Sequence, residues 1–358
     1  MTNDSDPSII QSSKPSPKSR LMMIAQGVGF LGSLAALGWA VSVALKQENR
    51  EQLSKLSEAT AGELFVLMSL AAISVAFNGL LFWVVLRPVR KLPPTDVIAV
   101  NAISTLLAYL PFKLSIVARF VIHNRRDKIA VLTIGAWIVA VTFLILAVIG
   151  PITIASLLLK EINPLWWTIS LLGAGSCTLI GSIIARKLCG EVGLKRIGRL
   201  LGSNLGPRVI ENESFAKVHL GFEMLGDLQA AMLGNLFRVL DILSFAMRFY
   251  VAARVLDLPI SPSDSLLLGV SYFLIGLASP VGMLGTREAG TIAIASMVGI
   301  SSGAIAETND GQTPIVIAVL FVTAIESVVN LGCAGFGIIW LRLRPGTNRV
   351  GTEPKTED

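Results

Sequence analysis

The chain has 358 residues, of which 53% are hydrophobic and only 15% are charged, and its mean hydropathy is +0.69. Soluble domains carry about a quarter charged residues, so this composition excludes an ordinary soluble protein and predicts an all-α, polytopic integral membrane protein. The net charge of +6 predicts no nucleic-acid partner, because the basic residues of a membrane protein first report its topology.

In chain order, a polar segment at residues 1–20 and another at 345–358 predict two disordered cytoplasmic tails. The segment between them, 21–344, is predicted to be one transmembrane domain with about six spanning helices, each near the roughly 20 apolar residues that a span requires. We read the first span as an uncleaved anchor. The predicted spans are 22–45, 64–86, 129–150, 162–185, 225–255 and 315–341.

Two further apolar segments, about 97–122 and 265–300, are broken at Pro111 and at Pro280, where Gly282 and Gly285 extend the break. Each half is about 10 to 15 residues, or roughly 15 to 22 Å of helix, whereas the hydrocarbon layer is roughly 30 Å thick. We therefore predict two re-entrant hairpins. Interrupted segments in both halves of a chain indicate an inverted repeat whose binding site lies where the breaks meet.

The basic residues predict the orientation. If the N-terminus is cytoplasmic, most of the 30 Lys and Arg lie on the cytoplasmic side, as the positive-inside rule requires. This holds only if the first hairpin enters and leaves on the cytoplasmic side and the second on the external side. We therefore predict a plasma (inner) membrane protein with both termini in the cytoplasm.

Charged residues within the predicted membrane segments mark a candidate site. Arg238 and Asp241 share one face of the fifth span, and Arg248 follows on the same stripe. Either Asp241 and Arg238 form a structural pair while Arg248 points outward, or the spare positive charge serves a ligand. The same choice applies to Lys113 and Arg119, which either anchor the cytoplasmic interface or contact a ligand.

Arg287 is the strongest ligand candidate. It follows the glycines at the start of a half-helix, where free N–H groups and the helix dipole favour an anion. Glu288 is adjacent, but neighbouring helical residues point to different faces, so we expect Arg287 to remain available for a phosphate. Glu326 either pairs with Arg287 or relays a proton. The predicted substrate-binding residues are Arg287, Arg238, Lys113, Arg119, Glu288 and Asp241.

Signatures of catalysis are weak. Cys177, Cys189 and Cys333 form no C-x-x-C pair, and no Cys, His, Asp and Glu spacing fits a metal site. The stretch GTREAGT lacks the lysine and the preceding strand of a phosphate-binding loop. We therefore expect no cofactor, no metal and no catalytic residues.

Two stretches resemble a known family. NAISTLLAYLPFKLSIVAR (101–119) and PVGMLGTREAG (280–290) are similar to motifs of the transmembrane family of the lysylphosphatidylglycerol synthases, the flippase-like part of the multiple peptide resistance factor. The resemblance covers about 22–341 and departs from the family at Ser115 and Ile116, where a glycine and an acidic residue are frequent. No aminoacyl-transferase domain follows Leu341, so the resemblance does not imply lysyl transfer.

The leading hypothesis is a flippase-like transporter that moves an anionic phospholipid or a polyprenyl-phosphate-linked lipid between leaflets. The alternative is a non-transporting membrane subunit that binds lipid or positions a lipid-modifying enzyme. An intramembrane enzyme is disfavoured because the sequence offers no clear pair of nucleophile and base.

Overall fold

The computed structural model describes residues 17–159, 161–200, 202, 212–300 and 313–344. Over these residues the chain is α-helical, with one 3₁₀ turn at Gln47–Asn49 and no strand. The α-helices are α1 Pro17–Ala44, α2 Arg50–Glu58, α3 Ala61–Leu86, α4 Pro94–Leu107, α5 Leu114–Arg125, α6 Val131–Leu158, α7 Pro164–Leu188, α8 Gly190–Leu200, α9 Glu213–Gly226, α10 Leu228–Val255, α11 Pro262–Ala278, α12 Thr286–Val298 and α13 Thr313–Leu343.

Six of these helices, α1, α3, α6, α7, α10 and α13, are long and apolar enough to cross a membrane. They coincide with the six predicted spans, which confirms the all-α polytopic fold class. The first tail was predicted to reach residue 20, but α1 already begins at Pro17. The rest of that tail and all of the second, 345–358, lie outside the described residues.

Local sequence sets several helix ends. Thr60 and Glu63 form a reciprocal capping box at the start of α3, so that helix begins three residues before the predicted span. Asp227 accepts a hydrogen bond from the Ala230 N–H and thereby starts α10. The predicted end of the third span at Gly150 was too early, because α6 continues through Pro151 to Leu158. Proline within a spanning helix is tolerated where neighbouring helices support it.

The first broken segment is a helical hairpin formed by α4 and α5. Phe112 and Lys113 have φ angles of 66° and 51°, and this left-handed backbone reverses the chain after Pro111. The base of the hairpin is closed by the ion pair of Arg126 Nη2 with Asp96 Oδ2 at 2.7 Å. Trp340 near the end of α13 donates to the same carboxylate at 3.0 Å. Both ends of this hairpin therefore lie at one end of the molecule, beside the end of α13.

The second broken segment is the hairpin of α11 and α12, and its base lies at the other end. Ser263 Oγ at the start of α11 accepts a hydrogen bond from the N–H of Ile162, in the loop between α6 and α7. Ile300, just after α12, packs against the apolar cluster that contains Ile260. Because α6 starts at the base of the first hairpin and is about 42 Å long, its far end lies on the opposite side. The two hairpins thus enter from opposite ends.

The hairpin tips meet inside the bundle. The N–H of Met283 donates to the carbonyl of Ala108, which ends α4, at 3.1 Å. In the reverse direction, Lys113 Nζ donates to the carbonyls of Ser279 and Leu277, which end α11, at 2.5 and 3.3 Å. Each tip therefore satisfies free carbonyls at the end of the other hairpin's first half-helix. The predicted meeting of the two breaks is confirmed.

Two glycines permit close backbone contacts at the tip of the second hairpin, Gly282 with the first hairpin and Gly285 with α1. Gly282 and Gly285 have φ angles of 113° and 82°, in the left-handed region that glycine adopts without strain. A Cβ at Gly285 would overlap the carbonyl of Ser33 in α1, and one at Gly282 would press on the carbonyl of Tyr109. The glycine pair of the second motif is therefore required by backbone packing.

Candidate functional site

A cavity of about 230 Å³ lies where the hairpin tips approach α3, α6, α10 and α13. Apolar side chains form much of its wall, including those of Phe82, Ile138, Val141, Phe245 and Phe273. The polar and charged side chains in the wall are those of Ser74, Asn78, Ser104, Thr105, Lys113, Ser115, Arg119, Thr142, Asp241, Arg248, Ser279, Glu326 and Asn330.

One side of the cavity borders the outer apolar surface. Leu110, Ile116 and Leu277 line the cavity, yet their exposed fractions are 43%, 37% and 38%. Phe112 and Val117, next to them in the first hairpin, are also exposed. Exposed apolar residues on a membrane-spanning bundle face lipid, so the cavity is continuous with the lipid-facing side between the first hairpin and α11.

Arg119 is a buried cation without a carboxylate partner among the described residues. Its Nη2 donates to Asn101 Oδ1 at 2.5 Å, and its guanidinium lies 3.8 Å from the ring centroid of Phe82. Its Nη1 is buried and has no hydrogen-bond partner. The prediction had allowed a role as an interface anchor for Arg119, but the side chain is 7% exposed and lines the cavity.

Lys113 also lacks a carboxylate within ion-pair distance in the described part of the chain. Its ammonium donates hydrogen bonds to the two backbone carbonyls that end α11, those of Leu277 and Ser279. A cation at a helix C-terminus is favourable because the helix dipole places partial negative charge there. Lys113 therefore joins the hairpin tips and adds positive charge to the wall of the cavity.

Arg238 and Asp241 form the structural pair that one of the two alternatives described. Arg238 Nη1 hydrogen-bonds Asp241 Oδ2, and Ser74 Oγ donates to Asp241 Oδ1 at 2.5 Å. The Arg238 guanidinium stacks 3.5 Å from the centroid of Phe273. Asp241 lines the cavity, whereas Arg238 does not. The Nε and Nη2 atoms of Arg238 are buried and have no hydrogen-bond partner. Arg238 is thus farther from the cavity than Asp241.

Arg248 points inward, so the alternative in which it reaches outward is wrong. Its Nη1 lies 2.9 Å from Glu326 Oε2, and its guanidinium lies 3.9 Å from the ring centroid of Phe245. Its Nε and Nη2 are buried without partners, and the residue lines the cavity. Arg248 was absent from the predicted substrate-binding set, although its position on the Arg238–Asp241 stripe was a signal for it.

Arg287 is fully engaged, which corrects the expectation that it remains available for a phosphate. Its Nε lies 2.9 Å from Glu288 Oε1, its Nη1 lies 2.9 Å from Glu326 Oε1, and its Nη2 donates to Tyr109 Oη at 3.4 Å. The guanidinium also lies 4.2 Å from the centroid of Tyr272. Adjacent residues on a helix diverge at Cβ, but the long arginine side chain curls back to its neighbour.

Glu288 is held in the same network and does not face the cavity. Its Oε2 accepts the N–H of Gly285 at 2.6 Å and so caps α12, while its Oε1 accepts from Thr323 at 3.0 Å. Neither Arg287 nor Glu288 lines the cavity. Of the two roles left open for Glu326, the structure shows the pairing role, with both Arg287 and Arg248.

The charged side chains at the cavity and in the network beside it balance except for two. The arginines Arg238, Arg248 and Arg287 are matched by three carboxylates, those of Asp241, Glu288 and Glu326. Lys113 and Arg119 remain without carboxylates, so the wall of the cavity carries an excess of positive charge. Within the described ranges no group of three or more His, Cys, Asp or Glu residues could hold a metal ion.

Sequence reasoning missed several polar residues around the cavity. Asn330 Nδ2 donates to Tyr109 Oη at 2.8 Å, and Asn101 orients Arg119. Ser104 lies one helical turn after Asn101 and lines the cavity. The available signal was weak but real: Asn330 follows Glu326 by four residues, so the two share a helix face within a predicted span.

A comparison with protein families matches residues 26–308 to the family described as the lysylphosphatidylglycerol synthase TM region. The match includes both hairpins and ends before α13 begins. No curated protein and no solved structure matches the chain.

Proposed function

The chain belongs to the lysylphosphatidylglycerol synthase TM family, and we propose that it is a flippase-like transporter that moves an anionic lipid between the membrane leaflets. The observation that carries this proposal is the cavity that borders the lipid-facing surface and contains Lys113 and Arg119, two cations without carboxylate partners among the described residues. Such a site replaces the hydrogen bonds and the charge stabilisation that an anionic head group loses when it leaves water.

The energetic argument concerns the head group. An unpaired charge in hydrocarbon costs several kcal/mol or more. Buried guanidinium N–H groups offset that cost because they donate strong, charge-assisted hydrogen bonds to an anion. The acyl chains stay in lipid beside Leu110 and Leu277, where the cavity borders the outer surface.

The interlocked hairpin tips provide a means of alternating access. Few hydrogen bonds join them, chiefly those of Met283 and Lys113 with the opposite hairpin. Because the hairpins enter from opposite ends, separation of the tips toward one end or the other would open the cavity to one leaflet at a time. The internal salt bridges, in contrast, hold α10, α12 and α13 together.

The same proposal includes the inner membrane and cytoplasmic termini. Ser57 in α2 is exposed at the proposed external side, and Arg199 in α8 is exposed at the proposed cytoplasmic side. After replacement of the three native cysteines, a cysteine at residue 57 should react with an impermeant maleimide in intact cells, and one at residue 199 only after permeabilisation. The reverse pattern would invert the orientation.

Reconstitution tests the transport function. Purified protein in vesicles with trace fluorescent anionic lipid should give dithionite access to inner-leaflet label well above that in empty vesicles. Arg119→Gln should slow this transport, whereas Arg199→Gln, an exposed position outside the cavity, should not. A wild-type rate equal to that of empty vesicles for several anionic lipids would refute the transporter and leave the non-transporting, lipid-binding subunit.

A further inference from the structure

We infer that His123, near the base of the first hairpin, binds a proton together with the anion that enters the cavity, so that the anion and the proton move together. This inference rests on the proposed function and adds the ion that is coupled to transport. It follows from the position of His123 between an uncompensated cation in the cavity wall and an acidic cluster at the base of the hairpin.

Three ionisable residues form a row along α5. Arg119, His123 and Asp127 follow one another at intervals of four residues, so they lie on one helix face. The N–H of Asp127 donates to the His123 carbonyl at 3.1 Å, which continues the helical turn beyond Arg125. Arg119 lines the cavity, whereas Asp127 belongs to the base of the hairpin. His123 therefore stands between the cavity and the cytoplasmic end proposed above.

His123 has one ring nitrogen with a partner and one without. Its Nδ1 lies 2.6 Å from Asp127 Oδ2, the position from which Nδ1–H donates to the carboxylate. Its Nε2 is buried and has no hydrogen-bond partner. In the neutral ring Nε2 then carries the lone pair. A proton from water that adds to Nε2 leaves the Nδ1–H bond in place and turns the contact with Asp127 into an ion pair.

The base of the hairpin has one carboxylate more than it has paired cations. Arg126 Nη1 lies 3.1 Å from Asp127 Oδ1, and Arg126 Nη2 lies 2.7 Å from Asp96 Oδ2. Two carboxylates thus share one guanidinium. Arg90 and Arg344 are nearby but exposed, and neither forms an ion pair within the described ranges. A protonated His123 would balance this cluster.

Arg119 is the charge that opposes protonation of His123. The helices packed against α5 add little else: α6 contains no charged residue, and α4 contributes Asp96 alone. The Trp137 ring of α6 lies 4.9 Å from the His123 ring, and Phe82 contacts both Trp137 and the Arg119 guanidinium. These rings keep water away, so repulsion between Arg119 and a protonated His123 is weakly screened.

The anion and the proton therefore favour each other's binding. Arg119 Nη1 is buried without a partner, so an anion that accepts from it neutralises the charge that opposes protonation of His123. By linkage, protonation of His123 raises the affinity for the anion by the same factor. A monovalent anion and a proton carry no net charge together. Their joint movement should thus respond to a pH gradient and not to the membrane potential.

Proton uptake on binding tests this linkage in detergent. The probe is dihexanoyl phosphatidylmethanol, whose single negative charge is constant between about pH 5 and 8, the range in which histidine titrates. Wild-type protein in weak buffer should take up to about one proton per bound probe, and the affinity should rise about tenfold as the pH falls through this range. His123→Gln should abolish both effects, and the matched control His219→Gln should keep both. No uptake by wild type, or full uptake by His123→Gln, would overturn the inference.

Histidine NMR reports the protonation with His123 intact, so it does not depend on the folding of His123→Gln. The chain has two histidines, His123 and His219, and His219→Gln assigns their signals. At fixed pH the probe should increase the protonated fraction of His123. Arg119→Gln should increase this fraction without the probe and remove the further increase, whereas Arg119→Lys should behave like wild type. A His123 signal that ignores both the probe and Arg119→Gln would refute the coupling.

Vesicles with imposed gradients test the joint movement. Acyl-labelled phosphatidylmethanol should move toward the alkaline leaflet when a pH gradient is imposed, and a potassium diffusion potential without a pH gradient should not drive it. In His123→Gln vesicles the pH gradient should have no effect. Transport by wild type that ignores the pH gradient would contradict co-transport.

The two proposals fail separately. Proton uptake on binding without any transport in vesicles would refute the transporter and leave the linked proton site. Transport without proton uptake on binding would leave the transporter and refute the role of His123.

Discussion

The two hairpins have similar sequences, but the charged residues in each have different partners. In the second hairpin, Arg287 is enclosed by Glu288, Glu326 and two tyrosines and does not reach the cavity. In the first hairpin, Lys113 and Arg119 have no carboxylate partner within the described ranges and line the cavity. The conspicuous motif GTREAG therefore belongs to the buried network of Arg287, Glu288 and Glu326, which we call the frame. The less conspicuous motif of the first hairpin supplies the positive charge in the cavity wall.

This difference has a physical cause. A buried charge needs partners, and the second hairpin has its own Glu288 and the nearby Glu326 of α13. The first hairpin has Ser115 and Ile116 just after its turn, so no carboxylate comes from the turn itself. Uncompensated charge beside lipid is costly unless a ligand shares it. From this unequal pairing we assign Arg287 to the structural frame and propose Lys113 and Arg119 as the ligand-binding residues.

The largest expected effect is loss of the frame. Arg287→Ala should lower the free energy of unfolding by about 3 to 5 kcal/mol, because it leaves the buried Glu288 carboxylate without a cation and Glu326 with Arg248 alone. Thermal unfolding in detergent measures this, with Arg199→Ala as the exposed control. If Arg287→Ala unfolds like wild type but loses lipid binding, the two hairpins have the opposite roles.

The next effect concerns the glycine turn of the second hairpin. Gly285→Ala should destabilise by about 2 kcal/mol or more, because φ is 82° and the new Cβ would overlap the Ser33 carbonyl. Gly175→Ala in α7 is the matched control, since nothing lies within 4 Å of its Cβ position. Equal melting temperatures for the two variants would show that α1 does not hold the turn.

A change in the first hairpin should affect transport more than stability. Arg119→Gln should slow lipid transport about tenfold, equivalent to about 1.4 kcal/mol, while the melting temperature changes little, because no carboxylate loses a partner. Measurement of both quantities on one preparation distinguishes this from general damage. A large loss of stability with an unchanged transport rate per folded molecule would make Arg119 structural.

The smallest effect is expected at the contact between the tips. Lys113→Met removes the ammonium from the end of α11 and should cost about 0.3 to 1 kcal/mol. Because this bond joins the hairpins, its loss should also loosen the tips, measurable as faster hydrogen exchange at the Met283 amide, which donates to the Ala108 carbonyl. Unchanged exchange at this amide would mean that Lys113 contributes charge but no contact that holds the tips.

Sequence reasoning predicted the parts of the molecule that local chemistry determines. Hydropathy and length identified the six spans, and Pro111 and Pro280 located the two breaks, because the bilayer constrains helix length and proline disfavours the continuation of a helix. It also identified most of the buried charges. It misplaced the end of α6, because support for Pro151 within a spanning helix comes from tertiary contacts.

The assignment of charges to frame or cavity was decided by tertiary structure alone. Sequence spacing gives the face on which a side chain starts, but Arg287 reaches back to its neighbour and across to Glu326, 39 residues away. Arg248 meets the same carboxylate across 78 residues. Such pairings depend on how α10, α12 and α13 pack, and long flexible side chains have several partners within reach until that packing selects one.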